Sequence, residues 1–315
     1  MTGRLARRTI GATIVTTGGS AGGALSTLVA ASGDSTMYDS YLTELGAADV
    51  SDAVYASASY SPITDLDHAD MAYEWMWGTL PVSGDTLVNQ TYSGQLKDNF
   101  TGYLADLNLK GINDYGTLTS GNYASYLTTQ YLGPSATKYL AALSDSAREK
   151  YLKENTWISW SGGAATFSWA KFLDHVGTRL KSVPAFDSFT LSNAENIEFG
   201  DATTNARHFT LYSLRHAIGN DSAQLASDLP AKIEMMNPMY FLENANPSRA
   251  KNWWIRTGTL DTNTAHTVVG NLAAITTDLG DTVNSSLYWD GGHAVNEDAP
   301  AFIAWVSKLT GAAIA

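Results

Sequence analysis

Gly18-Gly19-Ser20-Ala21-Gly22 spells G-x-S-x-G. A serine held between glycines where a strand gives way to a helix is exposed on a sharp turn, ready for nucleophilic attack. The turn is strained, so a side chain at either flank is expected to clash. The partial positive charge at the start of the helix, with the N–H of Ala21, would face a developing oxyanion. Such a serine needs an acid and a base, in the chain order Ser, Asp or Glu, His. Six histidines are available. His175, His208 and His216 fall in a helical stretch and read as surface or packing residues, and His68 precedes every acid that the order allows. His266 follows Asp261 too closely to occupy a separate loop and reads as helical. His293 is different: Trp289-Asp290-Gly291-Gly292-His293 is a glycine loop between the last strand and the last helix. From there a base can reach across the top of a parallel sheet. Asp261 follows a strand through Thr257-Gly258-Thr259-Leu260, and it could equally cap a helix starting at Thr262. Asp290 is the competing acid, but it shares the loop of His293, which favours Asp261.

These residues need a frame. Residues 9–17 mix β-branched and small side chains and read as a strand, with Gly18-Gly19 as the turn and 21–31 as a small-residue helix ending before Gly33. Residues 52–60 read as a second buried strand closed by Pro62. Residues 252–256 and 285–289 are short, aromatic and β-branched, as buried strands should be. Residues 298–309 read as an amphipathic helix capped by Gly311. From about 63 to 236 the texture changes to amphipathic segments at 87–107, 122–132, 136–152 and 209–218. Gly/Ser-rich breaks such as Ser159-Trp160-Ser161-Gly162-Gly163 separate them. This pattern predicts a mostly helical insertion rather than further βα units, with no internal repeat, linker or low-complexity tract.

Composition narrows the function classes. The 315 residues are 44% hydrophobic, enough for a sizeable core. With 31 acidic against 19 basic residues the net charge is -12, which repels a phosphate backbone and excludes nucleic acid as a partner. No cysteine is present, so disulfides, zinc–thiolate sites, Fe–S clusters and a cysteine nucleophile are excluded. No window of 18 apolar residues exists to span a membrane. Arg4, Arg7 and Arg8 ahead of residues 10–15 imitate a signal peptide, but Thr16-Thr17-Gly18-Gly19-Ser20 breaks the apolar run. The compartment and the oligomeric state stay open.

Several segments together carry a resemblance. The nucleophile segment Gly18-Gly19-Ser20-Ala21-Gly22-Gly23-Ala24-Leu25-Ser26 resembles that of bacterial tannases, α/β-hydrolase enzymes related to feruloyl esterases. Trp253-Trp254-Ile255-Arg256-Thr257-Gly258-Thr259-Leu260-Asp261 and Gly292-His293-Ala294-Val295-Asn296-Glu297-Asp298 resemble the family's acid and base segments. Tyr60-Ser61-Pro62-Ile63-Thr64-Asp65-Leu66 and Ala72-Tyr73-Glu74-Trp75 match in style, so the likeness covers essentially the whole chain. It implies an α/β-hydrolase core at residues 1–61 and 238–315, with a large helical lid inserted at 62–237. It also implies cleavage of galloyl esters without a metal or organic cofactor. In that family a lid lysine and glutamate hold the galloyl hydroxyls, which by resemblance falls to Lys181 in Lys181-Ser182-Val183-Pro184-Ala185-Phe186-Asp187 and to Glu195 in Asn193-Ala194-Glu195-Asn196. Where the family places a second aspartate two residues after the catalytic one, this chain has Asn263, which accepts hydrogen bonds but carries no charge. That departure implies weaker or shifted galloyl preference.

The expectation is therefore a serine esterase acting on small aromatic esters, with Ser20 as nucleophile, His293 as base, Asp261 as orienting acid and Ala21 N–H in the oxyanion hole. Trp75, Trp77, Trp157, Trp160 and Trp169 would offer flat apolar surface to the acyl group, or serve as lid core. Only one predicted strand precedes Ser20, where a hydrolase normally has several strands and a second oxyanion loop, so the chain reads as N-terminally truncated. The alternatives are a non-catalytic truncated hydrolase that binds aromatic ligands, and a peptidase or acyltransferase on the same fold.

Overall fold

Every residue of Ala56–Tyr60 and of Asn252–Gly258 is buried, as in strands covered on both faces. In the computed structural model, which describes residues 13–311, they form the centre of a four-stranded, wholly parallel sheet. In chain order, β1 (Val15–Gly19) turns into α1 (Ala21–Ser32), and β2 (Ala56–Tyr60) leads into a long helical stretch. That stretch includes α2 (Leu66–Trp77), α3 (Gln90–Leu107), α4 (Trp169–Val176) and the short α5 (Ala194–Glu198). The chain then returns through β3 (Asn252–Gly258), α6 (His266–Asp278), β4 (Thr282–Tyr288) and α7 (Ala299–Thr310). The strands lie in the order β1-β2-β3-β4.

Register places the chemistry. Gly19 pairs with Tyr60, Tyr60 with Arg256, and Gly258 with Tyr288, so the four strands stop at nearly one level. Ser20, Ser61, residues 259–261 and residues 289–293 therefore emerge along a single edge, outside the carboxyl ends of the strands.

Small residues let α1 lie close to the sheet. Its buried face is Gly23, Ser26, Thr27, Ala30, Ala31 and Ser32. Ser26 Oγ donates to Thr16 Oγ1 and also lies 2.9 Å from Ser57 Oγ, tying the helix to β1 and β2. On one sheet face, Ala58, Tyr60, Trp254 and Tyr288 pack under Phe302 and Trp305 of α7. On the other, a single apolar cluster runs from Ala30 through Tyr73, Trp77, Phe100 and Phe172 to Trp253, Val268 and Leu272. The helical stretch and the sheet thus share one core. Trp77 Nε1 donates to Thr264 O, and Ser135 Oγ to Leu287 O, across the junction. No described helix is long and apolar enough to cross a membrane.

Several element expectations shift. Gly18 and Gly19 belong to β1 rather than to the turn, because the parallel ladder to β2 continues through them. Residues 9–12, at the start of the expected first strand, and the arginines before them lie outside the described residues. The single helix expected at 136–152 is two, Gly133–Ala142 and Asp145–Glu154. Ser144 accepts from Ala147 N and starts the second, a cap that outweighs the continuing apolar period. The Ser159–Ser161 break is one arm of a hairpin with Ala164–Thr166, turned by Gly162 and Gly163 at positive φ.

Candidate active site

Ser20 sits at φ 55°, ψ -125°, a conformation few non-glycine residues adopt. The strand must reverse into α1 within one residue, and two backbone bonds pin it there: Ser20 N donates to Tyr60 O (2.9 Å) and Ala24 N to Ser20 O (2.9 Å). The glycines around it differ in what they are for. A Cβ on Gly18 would lie 2.2 Å from Gly22 O, a collision with backbone. At Gly22 nothing lies within 4 Å, so the clash expected on both flanks exists on one only. A Gly22 side chain would point away from the turn. Ala21 N–H is the first of α1 and has no intrahelical acceptor.

Across the strand ends, His293 Nδ1 lies 3.0 Å from Asp261 Oδ1 and 2.9 Å from Oδ2. The carboxylate can only accept, so Nδ1 is the donor of this bond, which leaves Nε2 as the ring nitrogen that faces away from the acid. Asp261 is buried; it also accepts from Thr257 Oγ1 (3.1 Å) and from Asn263 N (2.9 Å). Burial pushes its pKa up, but His293, the Ser61 hydroxyl and Asn263 N–H outweigh this and hold the carboxyl below its ordinary value. The two loops that carry this pair are stitched together: Leu260 N donates to Gly291 O (2.9 Å) and Asp290 N to Thr259 Oγ1 (2.8 Å). Gly258 must be glycine, because a Cβ there would meet Gly291 O at 2.1 Å. Ala294, next to His293, lies against the turn that holds Ser20, since a Cβ on Gly19 would be 3.1 Å from the Ala294 Cβ. The other acid, Asp290, is engaged elsewhere, bonded to His175 Nε2 (2.7 Å) and Tyr151 OH (2.6 Å). His175, read as a surface or packing residue, is thus a hydrogen-bond partner of Asp290 across the fold, stacked on Trp289.

Lys181 Nζ lies 3.3 Å from Glu195 Oε1 and 3.7 Å from the centre of the Phe186 ring. Burial pushes the lysine pKa down, offset in part by the charges of Glu195, Asp70 and Asp261. Glu195 and Ala21 both line a cleft of about 270 Å³, walled by Leu25, Leu28, Ile63 and Met236. Asn263 contributes its backbone N–H to Asp261, and its side chain makes no polar contact among the described residues.

No protein-family model and no curated protein sequence matches the chain. Solved structures do. Tannin acyl hydrolase from Lactobacillus plantarum superposes with a TM-score of 0.82 at 32% identity, covering 94% of this chain and 65% of that one. Tannin acyl hydrolase in complex with ethyl gallate matches with a TM-score of 0.79 and the same identity and coverage. Fusobacterium nucleatum tannase matches with a TM-score of 0.80 at 30% identity, covering 94% of this chain and 67% of that one. The chain belongs to the tannase family. It spans 65% of the length of the Lactobacillus plantarum enzyme.

In this member of the tannase family, several residues around the site carry roles that the sequence reading did not assign, although Ser61, Tyr73, Glu74 and Thr257 lie in segments that carry the resemblance. Glu74 and Arg179, both fully buried, form a bidentate ion pair, and Arg179 also donates to the carbonyls of Lys181 (2.8 Å) and Ser182 (3.0 Å). Tyr73 OH accepts from Lys181 N (3.1 Å) and donates to Thr262 O (2.7 Å), one phenol joining the lysine segment to the Asp261 loop. Ser61 and Thr257 stand behind Asp261 with hydroxyls 3.1 Å apart. The available signal was a polar side chain inside a buried strand end or an apolar helix face. Among the described residues, Asp65, Asp67 and His68 come close enough to share a cation. Their atoms already have partners: His68 Nδ1 and Tyr103 OH bond Asp65, and Asn237 bonds both aspartates.

Proposed function

We propose that this chain carries the ester-cleaving centre of a serine esterase for small aromatic esters, galloyl or hydroxycinnamoyl, on an α/β-hydrolase core (1–61 and 238–315) with residues 62–237 as the lid. The observation that carries the reading is the strained Ser20 at the start of α1, set on the same sheet edge as a buried carboxylate holding His293 by Nδ1. In this reading His293 Nε2 takes the Ser20 proton as Oγ attacks the ester carbonyl, and the new C–O bond makes a tetrahedral oxyanion. Ala21 N–H and the α1 terminus stabilise that charge. Asp261 keeps the ring oriented and balances the imidazolium. The proton then passes to the leaving alcohol, the acyl group stays on Ser20, and water repeats the sequence to release the acid.

Lys181 and Glu195 offer a cation and a carboxylate to vicinal phenols, which both donate and accept. Asn263 adds an acceptor without charge. Ethyl gallate in the related hydrolase complex supports the substrate class. The test is Ser20→Ala against the unaltered chain, with methyl gallate and methyl ferulate as substrates and a fluorophosphonate probe as label. Loss of hydrolysis and of labelling at Ser20 is expected. Hydrolysis retained by Ser20→Ala sinks the assignment.

A further inference from the structure

Ser61 is a costly residue where it stands. It is fully buried, one position past β2, at φ 47°, a left-handed conformation that favours glycine. Ala294, which follows His293, is left-handed too, at φ 55°. The two strained residues meet, because Ala294 N donates to Ser61 Oγ (2.9 Å). Strain of this kind persists only where surrounding bonds over-determine it.

The bonds continue. Ser61 Oγ lies 3.1 Å from Thr257 Oγ1, and Thr257 Oγ1 donates to Asp261 Oδ2 at 3.1 Å. Each hydroxyl has one proton. With the Thr257 proton on the carboxylate, the Ser61 hydroxyl is the donor to Thr257, and it also stands close enough to favour the Asp261 charge. Every direction is then set: the Ala294 amide to Ser61, Ser61 to Thr257, Thr257 to Asp261. His293 Nδ1 donates to the same carboxylate, so the path starts one residue after the histidine and returns to it. Three strand ends contribute: Ser61 from β2, Thr257 from β3 and the His293 loop after β4.

We propose that Ser61 and Thr257 are positioning residues, a buried hydroxyl relay that closes a ring through Ala294, Asp261 and His293 and so sets the place of the imidazole. The inference rests on the reading of Ser20, His293 and Asp261 as a triad. Neither hydroxyl meets substrate; each acts through the loop and the carboxylate it holds. Without them the Ala294 amide loses its acceptor, and the His293 loop is free to relax out of its strained geometry.

The test compares Thr257→Val, Ser61→Ala, the double variant and Thr257→Ser in the full chain. Melting temperatures show that each variant is folded. With methyl gallate, Thr257→Val and Ser61→Ala should each lower kcat about 10- to 100-fold, the scale of a lost bond to a charged group, with KM within about threefold. Thr257→Ser keeps the hydroxyl and should rescue. A relay acts in series, so the double variant should fall no further than the worse single. Independently of turnover, the low-field proton NMR signal of His293 Nδ1–H should be sharp in the wild type and Thr257→Ser and broadened in Thr257→Val. An unchanged signal and kcat in Thr257→Val, losses that multiply in the double variant, or a loss confined to KM would overturn the proposal. Ser20→Ala in the same assay separates the two readings. If it is inert while Thr257→Val is normal, the relay alone fails; if it still hydrolyses ester, the triad reading fails.

Discussion

Arg179→Met removes the cation of a pair in which neither side chain has any exposure. What the loss costs follows from what is left behind. Glu74 keeps one donor, Ser93 Oγ at 2.7 Å, and otherwise becomes an uncompensated buried charge. The carbonyls of Lys181 and Ser182 lose their guanidinium donors as well. Breaking a buried pair on one side costs about 3–5 kcal/mol. Unfolding entropy near 2.1 cal/mol/K per residue comes to about 0.6 kcal/mol/K for a chain of roughly 300 residues, so the melting temperature should fall by about 5–8 °C. Glu74→Leu in the Arg179→Met background removes the stranded charge and should recover most of the loss, since apolar replacement of both partners is often neutral or stabilising. The Lys181 segment is released in either case, so KM for methyl gallate should stay raised in the double variant even as stability returns. Calorimetry and steady-state kinetics on the four proteins of the cycle read both effects. A single variant melting within about 1 °C of wild type, or a double variant no more stable than Arg179→Met, refutes the reasoning.

Stability should also depend on pH through His266, whose pKa is pushed down to about 4, first by burial. Between 4 and the ordinary 6.5 the unfolded chain binds a proton that the folded chain does not, so this contribution is present above 6.5 and lost as pH falls through 4. It amounts to roughly 3 kcal/mol. Asp70, raised to about 7, first by burial, acts in the opposite sense: its contribution is full below the ordinary carboxylate value and lost as pH rises through 7. The difference between wild type and His266→Gln isolates the histidine, and urea unfolding at pH 7 and pH 4.5 should show the gap between them shrink by most of that amount. Parallel stabilities at the two pH values would argue against it. Gly18→Ala should abolish soluble, labelled protein, because its Cβ meets backbone at 2.2 Å, while Gly22→Ala should label at Ser20 within a few-fold of wild type. Equal loss in both would mean that the second glycine serves the turn in a way the geometry does not contain.

The positions of Ser20, Asp261 and His293 at strand ends were legible because glycine punctuates each of them: Gly18-Gly19 before the serine, Gly258 before the aspartate, Gly291-Gly292 before the histidine. Gly18 is a necessity of its own turn, and local necessities of that kind leave marks in sequence. Partnerships over long separations leave none. His175 reaches Asp290 across 115 positions, and Ser61 reaches Ala294 across 233. Nothing about a histidine on an amphipathic helix distinguishes a long-range hydrogen-bond partner from a surface residue. Helix limits failed where a single polar residue decided them: Ser144 restarts a helix that the apolar period carries straight through. The clash assigned to Gly22 failed for a related reason, since the direction of a missing Cβ depends on the folded turn and not on the motif.

The common core has a consequence for how such a chain can change over generations. Residues 62–237 look like a cassette when read along the chain, yet Trp77, Tyr123 and Ser135 bond to Thr264, Asn271 and Leu287 beyond its far end. Exchanging that stretch between relatives by recombination at its two junctions would bring in one half of these contacts and leave the other half behind. Productive crossovers would have to carry α6 and β4 along with that stretch, so the two parts should be inherited together and drift as one unit.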